Sequence, residues 1–269
     1  MSSGDESHGD GVVVIKIGGA ILSQPLDTFW DGVAEMMRTR RVIIVHGGGP
    51  EATRVARMIG HEPRIVRGRR VTTEIDLEIM QWVTRGSLNT RLVGQAIAHG
   101  LRPVGLCGAD AGMVVVERRP PWVIDGHEID FGLVGDIVEV QPGLLLKLLD
   151  DAYLPILAPI CVDNLGRLYN VNADTVASAI AEHTNARSLL MVTETGGLRR
   201  HADDPASILG ACDRSVYASG LADGWISGGM QVKLHVALEA LKVGIPEVWI
   251  VAPDDLLTRA TATRIVDPQ

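Results

Sequence analysis

The sequence predicts an α/β fold, a three-layer sandwich around one twisted, mainly parallel central sheet in two lobes. Three observations predict it. Apolar runs of strand length alternate with segments of helical periodicity along the whole chain. The runs carry few polar residues, as strands covered on both faces must. Two of them end in glycine clusters just ahead of a helix start.

The predicted strands are 12–17, 42–45, 104–106, 114–116, 156–158, 189–193 and 247–251, assigned to one mostly parallel sheet. Between them, 51–59, 74–83, 89–99, 143–152, 174–183 and 230–242 place apolar residues three and four apart, the period of an amphipathic helix. Thr73 and Asp174 are the expected helix caps. Residues 113–145 break the rhythm with Arg118-Arg119-Pro120-Pro121 and Asp125-Gly126-His127, turn signals of a hairpin excursion near the substrate. Without an internal repeat or a low-complexity linker, any two lobes must share a continuous sheet or a short hinge.

A chain of 269 residues with 46% hydrophobic content can fill such a core. The first ten residues are polar and acidic and lack an apolar h-region, so a frayed tail and a cytoplasmic location are expected. No stretch approaches the ~18 apolar residues of a membrane span. Cys107, Cys161 and Cys212 form no C-x-x-C pair and are expected to be buried, unreactive thiols. A formal charge of −8 opposes a nucleic-acid partner. Against that background Arg64, Arg67, Arg69 and Arg70 form a local patch suited to a small anion.

Strand 12–17 runs into Gly18-Gly19, and strand 42–45 into His46-Gly47-Gly48-Gly49-Pro50. Bare backbone N–H groups at a helix start make an anion site, because no side chain blocks phosphate oxygens and the helix dipole favours negative charge. Two such turns point to a nucleotide. The chain has no G-x-x-x-x-G-K-[ST] segment and no G-x-G-x-x-G opening a helix, so Walker ATPases, protein kinases and standard dinucleotide folds recede. Lys16 sits on the first strand directly before its glycines, where a cation without an anion is costly. Lys147 and Lys242 read instead as solvated helix ends.

Five motifs stand in order: Lys16-Ile17-Gly18-Gly19-Ala20, His46-Gly47-Gly48-Gly49-Pro50, Gly68-Arg69-Arg70-Val71-Thr72, Asn170-Val171-Asn172-Ala173-Asp174 and Gly229-Met230-Gln231-Val232-Lys233. Together, over roughly residues 12 to 265, they resemble the amino-acid kinase family, and within it the branch acting on acylated glutamate. The resemblance implies a phosphotransferase that moves the γ-phosphoryl of ATP to the γ-carboxylate of an N-acylated glutamate, a step of arginine biosynthesis. It implies a polar tail at 1–11, an amino-acid lobe at 12–165 and an ATP lobe at 166–269. Lys16 would hold the attacked side of the phosphoryl group and Lys233 the ATP side, with Asp174 fixing both ammoniums. Gly18, Gly19, Gly47 and Gly48 would bind phosphate oxygens. Gly48, Gly49, Arg70 and Asn170 would hold the amino-acid substrate, and Thr193, Glu194, Gly197, Gly229 and Met230 would meet the nucleotide. Magnesium would arrive on the ATP phosphates, so no protein metal ligand is named. A carboxylate nucleophile is already ionised at neutral pH, which leaves every histidine without a catalytic task.

The resemblance also implies a homodimer, with 74–99 as the contact helix offering Ile79, Trp82 and Val83. No N-terminal helix that would build a hexamer is expected before Val12, and with it only weak arginine feedback. Glu194 stands where relatives carry aspartate in a turn near the nucleotide; Arg69 stands where they carry leucine, and the extra arginines keep an N-succinyl substrate open beside an N-acetyl one. The alternatives are a kinase acting on carrier-protein-bound aminoadipate or glutamate, and a non-catalytic nucleotide or effector-binding protein.

Overall fold

The structure of the protein is a computed structural model and describes residues 11–267. The expectations for the tail, including those about an N-terminal helix, fall on residues 1–10 and lie outside the described residues.

The chain begins with β1 (Val12–Ile17), α1 (Asp27–Met37), β2 (Arg41–His46) and α2 (Gly49–Met58). A short hairpin of β3 (Ile65–Val66) and β4 (Arg69–Arg70) leads to α3 (Glu74–Met80). That helix passes through a π-helical stretch, Gln81–Leu88, directly into α4 (Asn89–Ala98). Next come β5 (Pro103–Cys107), β6 (Val114–Arg118), the hairpin of β7 (Trp122–Ile124) and β8 (His127–Ile129), and β9 (Gly135–Val140). They are followed by α5 (Gly143–Asp150), β10 (Leu154–Ala158), β11 (Ile160–Val162), β12 (Leu168–Asn170) and α6 (Ala173–His183). The chain closes with β13 (Ser188–Val192), β14 (Ala211–Cys212), α7 (Arg214–Ala222), α8 (Gly228–Lys242), β15 (Glu247–Val251) and β16 (Thr263–Ile265).

Eight strands form the central sheet in the order β14-β16-β15-β13-β1-β2-β10-β5, parallel from β15 through β5, with β16 antiparallel to β15. Strand alternation sorts the core into two layers. Val12, Val14, Ile43, Val45, Leu189 and Met191 pack with α6 and α8 on one face. Val13, Ile15, Val42, Ile44, Leu190 and Val192 pack with α1, α2 and the long 74–98 helix on the other. The expected three-layer α/β sandwich with a mainly parallel sheet is thus observed.

Several local expectations change. Strand 114–116 belongs to a second sheet, β12-β11-β6-β9, and not to the central one. After β5 a 3-10 turn over Asp110–Gly112, with positive φ at Ala111 and Gly112, returns the chain so that Val114 N donates to Gly108 O and the strand leaves the main sheet. Helices α1 and α7 were not anticipated. Thr73 is a cap, reciprocated by Asp76 in a capping box. Asp174 is not: Asn172 caps α6, its Oδ1 accepting from the backbone N of Asp174 and Thr175 at 2.8 and 3.1 Å. Ile79 and Val83 are buried in the core, so of the proposed contact face only Trp82 is exposed, because the helix turns its apolar stripe toward the sheet. All three cysteines are free and buried.

The hairpin excursion is tied to β4 through Thr72, whose N donates to Phe131 O and whose O accepts from Leu133 N. Gly132 between them has φ +69, and a Cβ there would stand 2.4 Å from the Thr72 carbonyl oxygen. Neither the left-handed backbone nor the contact with main chain can be relieved by a rotamer change. Gly132→Ala should therefore lower stability by about 1–3 kcal/mol, read as a fall in thermal midpoint; an unchanged midpoint would contradict this account of the hairpin base.

Candidate active site

Strand alternation on β1 decides where Lys16 points. It shares the face of Val12 and Val14, toward α6, and meets Asp174 in the first turn of that helix, Nζ to Oδ1 at 2.8 Å. Lys233, one turn into α8 on the same side of the sheet, reaches the same oxygen at 3.1 Å. All three side chains are buried. Burial alone would raise the Asp174 carboxyl, but Lys16 and Lys233 outweigh it and hold the group down at about 2, against an ordinary 3.8. That ionisation favours the folded state at pH above the ordinary carboxylate value, and the gain is lost as pH falls toward about 2. Burial, then repulsion from Lys16, pushes Lys233 down from 10.5 to about 8 against the pull of Asp174. One carboxylate thus serves two ammoniums, and the cluster carries one uncompensated positive charge.

The two glycine turns lie against each other beside this cluster. Gly18 N donates to Val192 O and Gly47 N to Ile17 O, so both amides are spent on continuing the sheet. Among the described residues no acceptor takes the amides of Gly19 and Gly48, which leaves these two, of the four predicted glycines, with open N–H groups. A Cβ on Gly19 would come within 3.0 Å of Gly48 N, and one on Gly48 within 2.5 Å of Thr84 Cγ2, so larger residues are excluded by the opposite turn and by the π-helical segment. Gly48 caps α2, whose first turn faces the same space. His46 at the base of this turn is wholly buried, and burial holds it neutral at about 4; its ring contacts Gly47 O at 2.9 Å and Asn89 Nδ2 at 3.1 Å.

A cavity of about 450 Å³ opens above these elements. Its wall brings together Lys16, Gly19, Gly47, Gly48, Gly49, Arg70, Asn170, Asp174 and Gly229 from the predicted set, with Lys233 behind Asp174. Arg70 is tethered to Gly49 O at 3.2 Å, Thr53 Oγ1 at 2.6 Å and Asp76 Oδ1 at 3.5 Å. Asn170 Nδ2 donates to Thr72 Oγ1 at 3.2 Å. Arg69 is half-buried on the wall, stacked 4.9 Å over Trp122, and burial lowers its pKa. Arg119, read from sequence as part of a turn, is also on the wall and paired to Asp136 at 2.6 Å. Nothing local marks it, because its partner is 17 residues away.

The remaining residues assigned to the nucleotide lie off this wall. Thr193 Oγ1 donates to Gly196 O, Gly197 N to Thr261 O, and Glu194 is exposed and accepts from Gln24 Nε2 at 2.7 Å. Met230 is partly buried against the core of the α6–α8 face.

Comparisons with known proteins agree with this architecture. The chain is 42% identical over 255 residues to an acetylglutamate kinase of Anaeromyxobacter sp. strain K, covering 91% of this chain and 93% of that one. It is 38% identical over 253 residues to an acetylglutamate kinase of Methanopyrus kandleri, covering 93% and 99%. Among solved structures, an N-acetylglutamate synthase from Neisseria gonorrhoeae aligns with a TM-score of 0.79 at 23% identity, over 96% of this chain and 60% of that one, a likeness of fold. The model of the amino acid kinase family matches residues 11–252, and with relatives of this similarity over nine-tenths of its length, the chain belongs to that family.

Proposed function

We propose that the protein is an acetylglutamate kinase, transferring the γ-phosphoryl of ATP to the γ-carboxylate of N-acetylglutamate, a step of arginine biosynthesis. The observation that carries this reading is the buried Lys16–Asp174–Lys233 cluster, whose surplus positive charge borders a cavity walled by two glycine turns and a tethered arginine. A γ-carboxylate oxygen attacks the γ-phosphorus, the bond to the β,γ-bridging oxygen breaks, and ADP leaves with that electron pair. No proton needs removal from the nucleophile. The burden is electrostatic: Lys16 would meet the attacked side, Lys233 the leaving side, and the Gly19 and Gly48 amides the equatorial oxygens. Arg70, whose Nη2 is held by Gly49 O and Thr53 Oγ1, would meet the α-carboxylate through its charge and its remaining N–H groups, with Asn170 beside it. Gly49 would complete the amino-acid subsite, and Gly18 and Gly47 would shape the turns rather than donate.

Residues 12–165 would form the amino-acid lobe and 166–269 the ATP lobe, where Thr193, Glu194, Gly197, Gly229 and Met230 would border the nucleotide. Asp174 is the one carboxylate on the cavity wall among the described residues, and both ammoniums occupy it, so the donor set suits magnesium carried by ATP phosphates and water. Magnesium so carried would neutralise phosphate charge there. No described helix is long and apolar enough to cross a membrane, and we place the enzyme in the cytoplasm with its ATP. We also propose a homodimer through the outer side of the 74–98 helix, where Trp82 is exposed and Ile75 and Ile97 join it.

Three outcomes test these statements. ATP with N-acetylglutamate should yield an acyl phosphate that hydroxylamine traps, and Lys16→Ala or Lys233→Ala should lower its rate about 100- to 1000-fold; trapping at the wild-type rate in both variants would remove the mechanism. Because Lys233 has a pKa of about 8 and must be charged to act, kcat/KM for ATP should fall above that pH with the loss of one proton. In Lys233→Arg that alkaline limb should disappear, whatever the absolute rate, and its persistence would assign it to another group. Trp82→Asp should shift the sedimenting mass from dimer to monomer, and a monomeric wild type would end the dimer proposal.

A further inference from the structure

Arg69 and Arg70 are neighbours on β4, and strand alternation sends their side chains to opposite faces. Arg70 turns to Gly49, Thr53 and Asp76, while Arg69 turns to the β7–β8 hairpin and stacks over Trp122. The indole is held in an edge-to-face contact with the wholly buried Phe131, ring centroids 5.4 Å apart. The Arg119 guanidinium lies 4.7 Å from the same indole, so two cations share one aromatic side chain.

The anions around them do not match the cations. Arg119 spends Nε and Nη2 on Asp136 Oδ1, at 2.9 and 2.6 Å. Arg67 is paired with Asp125, and Arg70 faces Asp76. Among the described residues no carboxylate pairs with Arg69. Burial and then repulsion from Arg119 disfavour its charge. A guanidinium stays charged at neutral pH all the same, so this desolvation is uncompensated until an anion reaches it. The stack on Trp122 offsets only part of the cost.

The place of Arg69 matches one group of the substrate. In an acylated glutamate the α-carboxylate and the acyl-bearing nitrogen leave the same carbon. With the α-carboxylate at Arg70, the acyl group falls within reach of the adjoining residue, whose Cα is ~3.8 Å away. There is room for a longer acyl chain: Arg69 borders both the cavity of about 450 Å³ and a second one of about 840 Å³, which lies between the two hairpins and α8. An acetyl methyl leaves the guanidinium without an anion, whereas a chain ending in a carboxylate supplies it through charge-assisted hydrogen bonds.

We propose that Arg69 gives the site a second activity, on glutamates whose acyl group ends in a carboxylate, as in N-succinylglutamate, by pairing with that added anion. This rests on the reading of the cavity as the acylglutamate site.

The test compares kcat/KM, read as trapped hydroxamate, for N-acetyl-, N-succinyl- and N-butyrylglutamate; the butyryl chain matches the succinyl chain in length without its charge. N-succinylglutamate should be used at least as well as N-acetylglutamate and about tenfold or more better than N-butyrylglutamate. In Arg69→Leu the succinyl-to-acetyl ratio should fall about ten- to hundredfold. Arg69→Gln should show the same fall and stands in if the first variant does not fold. Poorer use of N-succinylglutamate than of N-acetylglutamate by the wild type overturns the proposal and leaves the proposed function standing. Equal use of the succinyl and butyryl compounds overturns it too, since chain length and not charge is then what the site accepts. A ratio unchanged in folded variants, with both substrates slowed alike, assigns Arg69 to the phosphoryl group and overturns it as well. If no acylated glutamate is phosphorylated, the proposed function falls, and this inference with it.

Discussion

The structure depends on one buried carboxylate oxygen that receives two ammonium groups. Lys16 and Lys233 come from opposite ends of the sequence, one on β1 and one on α8, and both end on Asp174 Oδ1. Two buried cations repel, and a single anion compensates only one of them, so the cluster is held against an unfavourable balance by the packing around it. The folded core supplies the difference: β1 is buried along its whole length, α6 packs on it, and α8 packs on α6 and β15, with Val176, Ile180, Leu234 and Leu238 in one core. An anionic phosphoryl group would relieve the imbalance, which is why such an arrangement favours a charged transition state more than an empty site.

Capping chemistry keeps that carboxylate available. Asn172 satisfies the open amides at the start of α6, so the Asp174 side chain is released from the cap and turns to the lysines. Its place in the first turn adds the positive end of the helix dipole to the two ammoniums. Had Asp174 been the cap, as the sequence suggested, its oxygen would have been shared with backbone N–H groups and drawn away from Lys16. The segment Asn-x-Asp thus divides two tasks between two residues that a residue count alone would treat as interchangeable.

Elements made of contiguous apolar residues were legible in the sequence. The six strands from β15 to β5 lie within a residue or two of where their runs placed them, because a strand covered on both faces leaves a signal in its own composition, whereas the short edge strands β14 and β16 carried no such run. Helix α1 carried a comparable pattern in Phe29, Trp30, Val33 and Met36 but lies between glycine clusters that drew attention to turns. The second sheet was not legible. Val114–Val116 has the composition of a central strand, and only the positive-φ turn before it sends it elsewhere. At the site, Lys16 and the glycines were marked locally and Arg70 by its arginine patch, while Asp174 and Lys233 stood out as site residues only through the order of motifs across the chain. Arg119 was invisible, since it owes its place on the wall to Asp136, a partner that the fold supplies.

The π-helical segment shows why close approach, more than any donor, shapes the anion-facing turns. Thr84 and Leu88 press on Gly48, while Asn89, the first residue beyond the segment, joins the ring of His46 to the carbonyl of Ile156. A regular α-helix through Gln81–Leu88 would rotate these three positions relative to one another by the angle of one inserted residue. The glycine turn would then lose either its steric backing or its polar anchor. His46 is accordingly held neutral and hydrogen-bonded under the turn, a rigid support with no proton to exchange at neutral pH. A helix irregularity, a buried imidazole and a missing Cβ are in this way one constraint: together they keep the Gly48 amide open toward the cavity, where Lys16 already waits for an anion.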